Sequence, residues 1–332
     1  MLYSESGVNI DANNALKRTF GRLARTTFGP AVLSDIGLFG SLFELRGFKE
    51  PLLVASCDGV GTKLTVARLV GRHDTVGADL VNHCVNDILT LGAKPLFFLD
   101  YLAFSKVKPE VLTDVVKGLA RACRNHQCSL VGGETASMPG LYRPGDYDLV
   151  GFIVGAVERG GTIDASRVAP GDRLIGLPSA GLHTNGFSLA RKVLFGRARL
   201  SVKSKVRGLA LPLGEELLRP HRSYFNAVYP VRGLVHAVCH ITGGGFRENI
   251  ERLLPFETSC VIHTDSWRPG RLFRLIQELG DVPDEEMYRT FNMGIGMALI
   301  VPQKNVRTVM ARIKGARLIG RVVRGTFGVA VI

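Results

Sequence analysis

The sequence predicts an α/β fold of the mixed (α+β) kind, with two domains that are each a sheet backed by helices. Three observations lead there. Short apolar runs of strand length alternate, along the whole chain, with segments whose apolar residues recur at helical spacing. The 332 residues suit about two domains of ~150 each, and a hydrophobic content of 46% supplies two cores. Between Glu158 and Arg173 the composition shifts to Gly, Ser, Pro and charge (ERGGTIDASRVAPGDR). That shift marks a boundary between domains at 1–165 and 166–332.

Taken in order, Asn9 to Arg25 is predicted as a helix capped by Asn9 or Asp11, with a basic face of Lys17, Arg18, Arg22 and Arg25. Gly29, Gly37 and Gly40 then punctuate an irregular segment that suits either a cover over a site or a plain loop. Leu52–Ser56 is a buried strand, stopped by Cys57-Asp58-Gly59-Val60-Gly61-Thr62-Lys63, where two glycines forbid its continuation. Gly77–Gly92 is predicted as a helix: at steps of about 100°, Val81, Cys84, Val85, Ile88 and Leu91 share one half of the wheel. The other half collects Asp79, Asn82, His83, Asn86, Asp87 and Thr90. These short oxygen-bearing groups suit a bound cation, or an exposed polar face if the helix is taken alone.

Leu96–Leu99 reads as a second buried strand ending in Asp100, and Pro109–Asn125 as an amphipathic helix. A third strand, Ser129–Val131, runs straight into Gly132-Gly133-Glu134-Thr135. Asp148–Val157 is a longer strand with little polarity on either side, as expected inside a sheet or at a subunit interface. The second half opens with strand Leu174–Leu177, the loop 179–186 and a helix from Phe187. Helix Glu215–Val228, strand Val238–Ile241, loop Thr242–Gly245 and helix Phe246–Leu254 follow. Strand Cys260–His263, helix Arg271–Leu279, strand Gly294–Val301, helix Asn305–Ile313 and strand Arg317–Val323 complete the pattern.

Composition excludes several classes. No apolar run approaches the ~18 residues of a membrane span, and the first residues lack the basic and apolar regions of a secretory leader, so a cytoplasmic location is expected. The six cysteines (57, 84, 123, 128, 239, 260) form no CxxC pair, which fits reduced thiols, with Cys57 a small buried residue, and argues against structural zinc. The formal charge of +13 concentrates in Arg191–Arg207 and Arg307–Arg324. A groove for single-stranded nucleic acid interleaves aromatics with its cations, whereas the first run holds only Phe195 and the second none; these read as solvated surface, and nucleic acid is not the expected partner. Walker A and G-x-G-x-x-G sequences are absent, which disfavours a P-loop kinase or a Rossmann dehydrogenase.

Three features carry chemistry. Asp58, Asp79, Asp87, Asp100 and Glu134 stand at strand ends or on the polar helix face, where several can converge on Mg²⁺, a cation held by one or two carboxylates plus phosphate oxygens. Thr242-Gly243-Gly244-Gly245 at a helix start is either a phosphate nest of backbone N–H groups or a turn without chemical purpose. Gly181-Leu182-His183-Thr184-Asn185-Gly186 offers an imidazole that suits a general acid or base, a phosphate hydrogen bond, or a helix cap.

The blocks CDGVGTKL, CVNDILTLGAKPLFFLDYLA, LVGGETASMPG, YDLVGFIVG, GLHTNGFSL, HITGGGFRENI and EMYRTFNMGIGM run in order from Cys57 to Met297. Together they resemble the phosphoribosylformylglycinamidine cyclo-ligase (aminoimidazole ribonucleotide synthetase) family. It belongs to a superfamily of ATP-dependent enzymes without a P-loop, which includes selenophosphate synthetase and thiamine-monophosphate kinase.

The resemblance implies ATP-dependent closure of formylglycinamidine ribonucleotide to aminoimidazole ribonucleotide, with ADP and phosphate released. The formyl oxygen would be phosphorylated, and the substrate's own nitrogen would then attack that carbon. It implies Asp58, Asp87 and Glu134 as metal and ATP ligands, with Asp58, Asp87 and His183 catalytic. Gly59, Gly61, Thr62, Lys63, Gly132, Gly133, Glu134 and Thr135 would meet ATP and its phosphates. Thr184, Asn185, Thr242, Gly243, Gly244 and Gly245 would hold the ribonucleotide. It further implies a homodimer whose N-terminal sheets join into a barrel.

The chain departs from the family's usual GGLGGFGAL at Ser34–Leu42, carries Ser137 in place of an acid, and has Gly21 where some relatives have a lysine, leaving Lys17 or Arg22 as substitutes. A sister kinase or synthetase of the superfamily would not be expected to carry GLHTNGF and HITGGGF together. A non-catalytic nucleic-acid-binding homologue would bind random DNA or RNA in a salt-sensitive way.

Overall fold

The structure is a computed structural model that describes residues 10–332. Its contacts divide the chain into two units: one runs to Ile88 and resumes over Lys94–Arg159, and the other takes Leu89–Ala93 and Gly160–Ile332. No helix among the described residues is long and apolar enough to cross a membrane.

The first unit contains α1 (Ile10–Arg25), β1 (Pro51–Gly59), α2 (Lys63–Val70), α3 (Asp74–Leu89), β2 (Lys94–Phe104), α4 (Pro109–Asn125), β3 (Ser129–Ser137) and β4 (Tyr147–Glu158). Its four strands lie in the order β1-β4-β2-β3. β4 pairs antiparallel with both β1 and β2, whereas β2 and β3 are parallel, which requires the crossover that α4 provides. The apolar run of β4 is explained by its place in the middle of the sheet, most of its residues buried.

One face of this sheet carries helices: Gly151 of β4 lies against Phe98 of β2 and Leu80 of α3. The opposite face, by strand alternation, collects Leu53 and Cys57 of β1, Phe152 of β4 and Leu99 and Tyr101 of β2. On it Leu53 is 65% and Phe152 42% exposed. Cys57, expected to be buried, is exposed on this face, which Phe43 partly covers at Phe97, while the other five cysteines are buried free thiols.

α3 starts at Asp74, ahead of the expected Gly77, because Gly77 sits inside the helix at its contact with α4. A Cβ on Gly77 would lie 2.1 Å from the Val115 carbonyl oxygen, and one on Gly118 would lie 2.1 Å from that of Asp74. The two helices touch backbone to backbone at these glycines.

The second unit contains β5 (Arg173–Pro178), α5 (Phe187–Arg191), α6 (Leu213–Leu217), α7 (Phe225–Val228), β6 (Ala237–His240), α8 (Gly245–Glu251) and β7 (Thr258–Ile262). It ends with α9 (Arg271–Gly280), α10 (Asp284–Thr290), β8 (Ile295–Val301), α11 (Val306–Arg312), β9 (Arg317–Arg324) and β10 (Gly328–Val331). Six strands form one sheet in the order β10-β7-β9-β5-β8-β6. β8, buried at every position, is its apolar spine.

The expected helix Glu215–Val228 is instead two short helices, α6 and α7. Pro220 lacks an N–H and its ring clashes with the preceding turn, and the irregular chain around it turns His221 and Tyr224 into the core. α2, α10 and β10 lie beyond what the pattern announces, each being four to eight residues long.

Candidate active site

In the first unit, β1 delivers Asp58 at its end, and α3 presents Asp79, His83 and Asp87 at i, i+4 and i+8, one above the other on one face. His83 Nε2 stands 2.9 Å from Asp58 Oδ2 and 3.6 Å from Asp87 Oδ2. Burial by itself lowers the His83 pKa, but the hydrogen bond to Asp58 and the charges of Asp87, Asp58 and Asp79 outweigh it and hold the imidazole above its ordinary value. Ser56 Oγ donates to Asp87 Oδ2 at 3.1 Å, and the Gly59 N–H donates to Asp58 Oδ1 at 2.6 Å. The two carboxylates thus flank one imidazole with hard oxygen atoms while remaining partly exposed, and such oxygens are the donors that Mg²⁺ takes.

Glu134 does not join them within this chain. The row Asp58–Gly151–Asp100–Gly133 crosses the whole sheet, so β1 and β3 are three strand spacings apart, roughly 14 Å. Glu134 follows Gly133 and therefore lies on the opposite face from Asp58, aligned with Tyr101. Lys63 also departs from expectation. Its side chain is 0% exposed and its Nζ lies 2.8 Å from Asp79 Oδ2, likewise 0% exposed. Burial pulls the Lys63 ammonium below the usual lysine range, against the opposing charge of Asp79. The ammonium is spent inside the unit instead of being offered to a phosphate, whereas Gly61 and Thr62 just before it are exposed.

The second set, Gly132, Gly133, Glu134 and Thr135, lines a cavity of about 1220 Å³ between α1, the loop 36–41 and the β3 edge. That exceeds the ~300–1,000 Å³ usual for small-molecule pockets. Lys17, Arg18 and Arg22 stand on its wall, with Lys17 one turn before Gly21. Arg25 is held instead by Asp35, through bonds of 2.6 and 2.9 Å that tie the loop to α1 and keep the Asp35 carboxyl below its ordinary value.

Asp100 lines the same cavity, and burial pushes its pKa up to about 7. A folded-state pKa raised above the unfolded one favours the protonated form, so the fold loses stability as pH rises from about 4 and levels off above 7. Asp100→Asn is therefore expected to leave stability unchanged near pH 4 and to raise it, by about 1–4 kcal/mol, at pH 8. Urea unfolding at the two pH values measures the difference, and equal shifts at both would contradict it.

In the second unit, His183 departs from the role of an accessible acid or base. It adopts a left-handed conformation (φ 65°), is 2% exposed, and its Nε2 accepts the Ala180 N–H at 3.1 Å. Its ring stacks on His221 with centroids 4.0 Å apart, and His221 in turn meets Thr184 Oγ1 at 3.3 Å and His240 Nε2 at 3.1 Å. Asn292 fastens the loop from the other side: its Nδ2 donates to the carbonyls of Gly181 and Leu182 at 3.0 and 3.2 Å.

The glycine loop is built in the same manner. Asn249 Nδ2 donates to the carbonyls of Gly243 and Gly245 at 3.1 and 2.7 Å. Gly245 (φ 61°) admits no side chain, since a Cβ would lie 1.8 Å from the Tyr288 carbonyl oxygen. Asn185, Gly243 and Gly244 come together at a cavity of about 380 Å³, with Glu248, Glu286 and Arg289; Thr184 and Thr242 sit just behind.

His83 was named only as one of six residues on the polar helix face, and His221, Asn249, Asn292, Glu248 and Arg289 are absent from the residues the sequence singled out for site roles. Asn249 had a local signal, one turn into the helix that the glycine loop opens. Asn292 and His221 act across more than thirty residues, which no spacing discloses.

The AIR synthase related protein families match the chain twice, the N-terminal domain over residues 45–157 and the C-terminal domain over 169–332. The chain is 50% identical over 325 residues to a phosphoribosylformylglycinamidine cyclo-ligase of Syntrophotalea carbinolica, covering 96% of this chain and 92% of the relative. In fold it is similar to the thiamine-monophosphate kinase of Stenotrophomonas maltophilia (TM-score 0.67, 18% identity, 93% and 94% of the chains covered). It is also similar to the hydrogenase maturation protein HypE solved in complex with ATP (TM-score 0.65, 18% identity, 91% and 84% covered).

Proposed function

Because the chain belongs to the AIR synthase related family and, within it, to the phosphoribosylformylglycinamidine cyclo-ligases, we propose that its two units divide one reaction, the ATP-dependent closure of formylglycinamidine ribonucleotide to 5-aminoimidazole ribonucleotide. ADP and phosphate leave, and the reaction belongs to purine biosynthesis. The observation that carries the proposal is the pair Asp58 and Asp87, brought from β1 and α3 to the same imidazole, His83, at 2.9 and 3.6 Å.

In this reading the first unit, within residues 1–165, handles ATP. Asp58 and Asp87 hold Mg²⁺, which offsets the charge on the triphosphate oxygens. Gly61 and Thr62 are exposed beside them, with Gly59 half-buried, and Lys17, Arg18 and Arg22 with Gly132–Thr135 supply the anion-binding wall of the large cavity. The second unit, which takes Leu89–Ala93 and Gly160–Ile332, holds the ribonucleotide. Asn185 and the Gly243–Gly244 backbone contact it at the smaller cavity, while His183 and Thr184 shape the loop from beneath. Both substrate ends must be fixed, since a flexible chain closes into a ring only when nucleophile and activated carbon are held in near-attack geometry.

The proposal includes a cytoplasmic homodimer. The exposed part of the sheet face, with Leu53, Phe152 and Tyr101, is the apolar surface such pairing would bury, and the face carries Glu134 at its far edge. Purified protein given formylglycinamidine ribonucleotide, ATP and Mg²⁺ is expected to release ADP only when all three are present. ADP release indifferent to the ribonucleotide would refute this reading. A thiamine monophosphate-dependent release would point to the sister kinase.

A further inference from the structure

We propose that Lys63 and Asp79 are a positioning pair that clamps the Asp58–Lys63 loop onto α3 and so keeps Asp58 facing Asp87. The inference rests on the reading of Asp58 and Asp87 given above and deepens it. Lys63 is assigned no contact with ATP; its effect reaches the substrate through the loop it ends.

The loop is fastened to one helix face at two points. Its first residue, Asp58, meets His83 at 2.9 Å, and its last, Lys63, meets Asp79 at 2.8 Å. Asp79 and His83 are one turn apart on α3, about 6 Å along the axis. The five residues from Asp58 to Lys63 can reach up to ~17 Å, so between these anchors the chain must arch away from the helix. Val60 is buried and bonded through its N–H to the Leu149 carbonyl at 3.2 Å, which leaves Gly61 and Thr62 as the exposed crown of the arch. Gly61 takes the left-handed conformation (φ 67°) that a crown this tight requires.

Stability alone gives no reason for a fully buried ion pair here. Taking both charges out of water offsets their attraction, and apolar side chains of similar volume commonly do as well. An ammonium and a carboxylate 2.8 Å apart in a water-free interior can separate only at the cost of leaving two buried charges unpaired, so the pair, unlike an apolar contact, holds α2's first residue at one place on α3. If the register slips, the crown and Asp58 move together, and the two carboxylates lose their common focus.

The test uses the full-length protein and the double variant Lys63→Met/Asp79→Leu, which keeps side-chain volume and removes both charges. Its melting temperature is expected to stay within a few degrees of the parent. Amide hydrogen exchange at residues 59–62 should accelerate at least tenfold, and KM for MgATP should rise about tenfold with KM for the ribonucleotide unchanged. Should the double variant not fold, the swapped pair Lys63→Asp/Asp79→Lys replaces it, with slowed exchange relative to Lys63→Met alone as the expected result. Parental exchange and parental KM for MgATP in a folded double variant would overturn the inference. So would a uniform loss, with both KM values and the melting temperature shifting together, because that is what a merely structural pair gives. If the parent protein itself fails to release ADP with the ribonucleotide, the functional reading falls, while the exchange measurement still decides whether the pair clamps the loop.

Discussion

Asp87→Asn is expected to lower ribonucleotide-dependent ADP release by about 10²–10³-fold, since on the proposed reading it removes a ligand of the charge-offsetting cation, and with it several kcal/mol of transition-state stabilisation. The fold should survive the change. Asp87 is partly exposed, and an asparagine oxygen still accepts the 3.1 Å hydrogen bond from Ser56. His83 supplies an independent readout. The Asp87 charge is among the influences that hold its imidazole above the ordinary value, so in Asp87→Asn the His83 pKa should fall, with burial then less opposed. Proton titration by NMR without ATP measures that shift apart from catalysis. Parental ADP release from Asp87→Asn would remove Asp87 from the machinery, whatever the His83 titration shows.

The convergence of Asp58 and Asp87 was legible in the sequence because each residue carries its own local signal. Asp58 ends an apolar run at a glycine, and Asp87 lies on a helix face whose wheel sorts polar from apolar. The place of Glu134 was not legible. It depends on strand order, and β4, which comes last in the unit, inserts between β1 and β2 and pushes β3 to the far edge. The burial of Lys63 was not legible, because a Lys after a glycine-rich loop has the same local pattern whether it points out or in. What turns it in is Asp79, sixteen residues later and on a different element. His183 is a similar case: its burial comes from His221 and Tyr224, carried into the core by an irregular segment where the periodicity predicted an unbroken helix. Local chemistry was thus readable, and what nonlocal packing does with it was not. Its visible sign was Pro220 inside an apparent helix.

Gly118→Val should cost about 3–5 kcal/mol, a fall in melting temperature of roughly 10 °C, because overpacking against backbone cannot be relieved by a rotamer change. The sign is the informative part. In an exposed helix interior, replacing glycine by alanine stabilises by about 1 kcal/mol, so even Gly118→Ala would help if α3 and α4 were not in backbone contact. Here the new Cβ would stand 2.1 Å from the Asp74 carbonyl oxygen, and the helices must separate to admit it. Gly77→Ala forces the same separation from the other side, at 2.1 Å from the Val115 carbonyl oxygen. The two substitutions should therefore be strongly non-additive, the second costing little once the first has parted the helices. The functional consequence follows from the same displacement. α3 carries Asp79, His83 and Asp87, so a shift at Gly77 is transmitted along a rigid helix to the carboxylate that must face Asp58. Both alanine variants are thus expected to lose affinity for MgATP before they unfold, measured as a rise in KM at temperatures well below the melting transition. An unchanged melting temperature in Gly118→Ala would mean that the helices do not approach as closely as these glycines require.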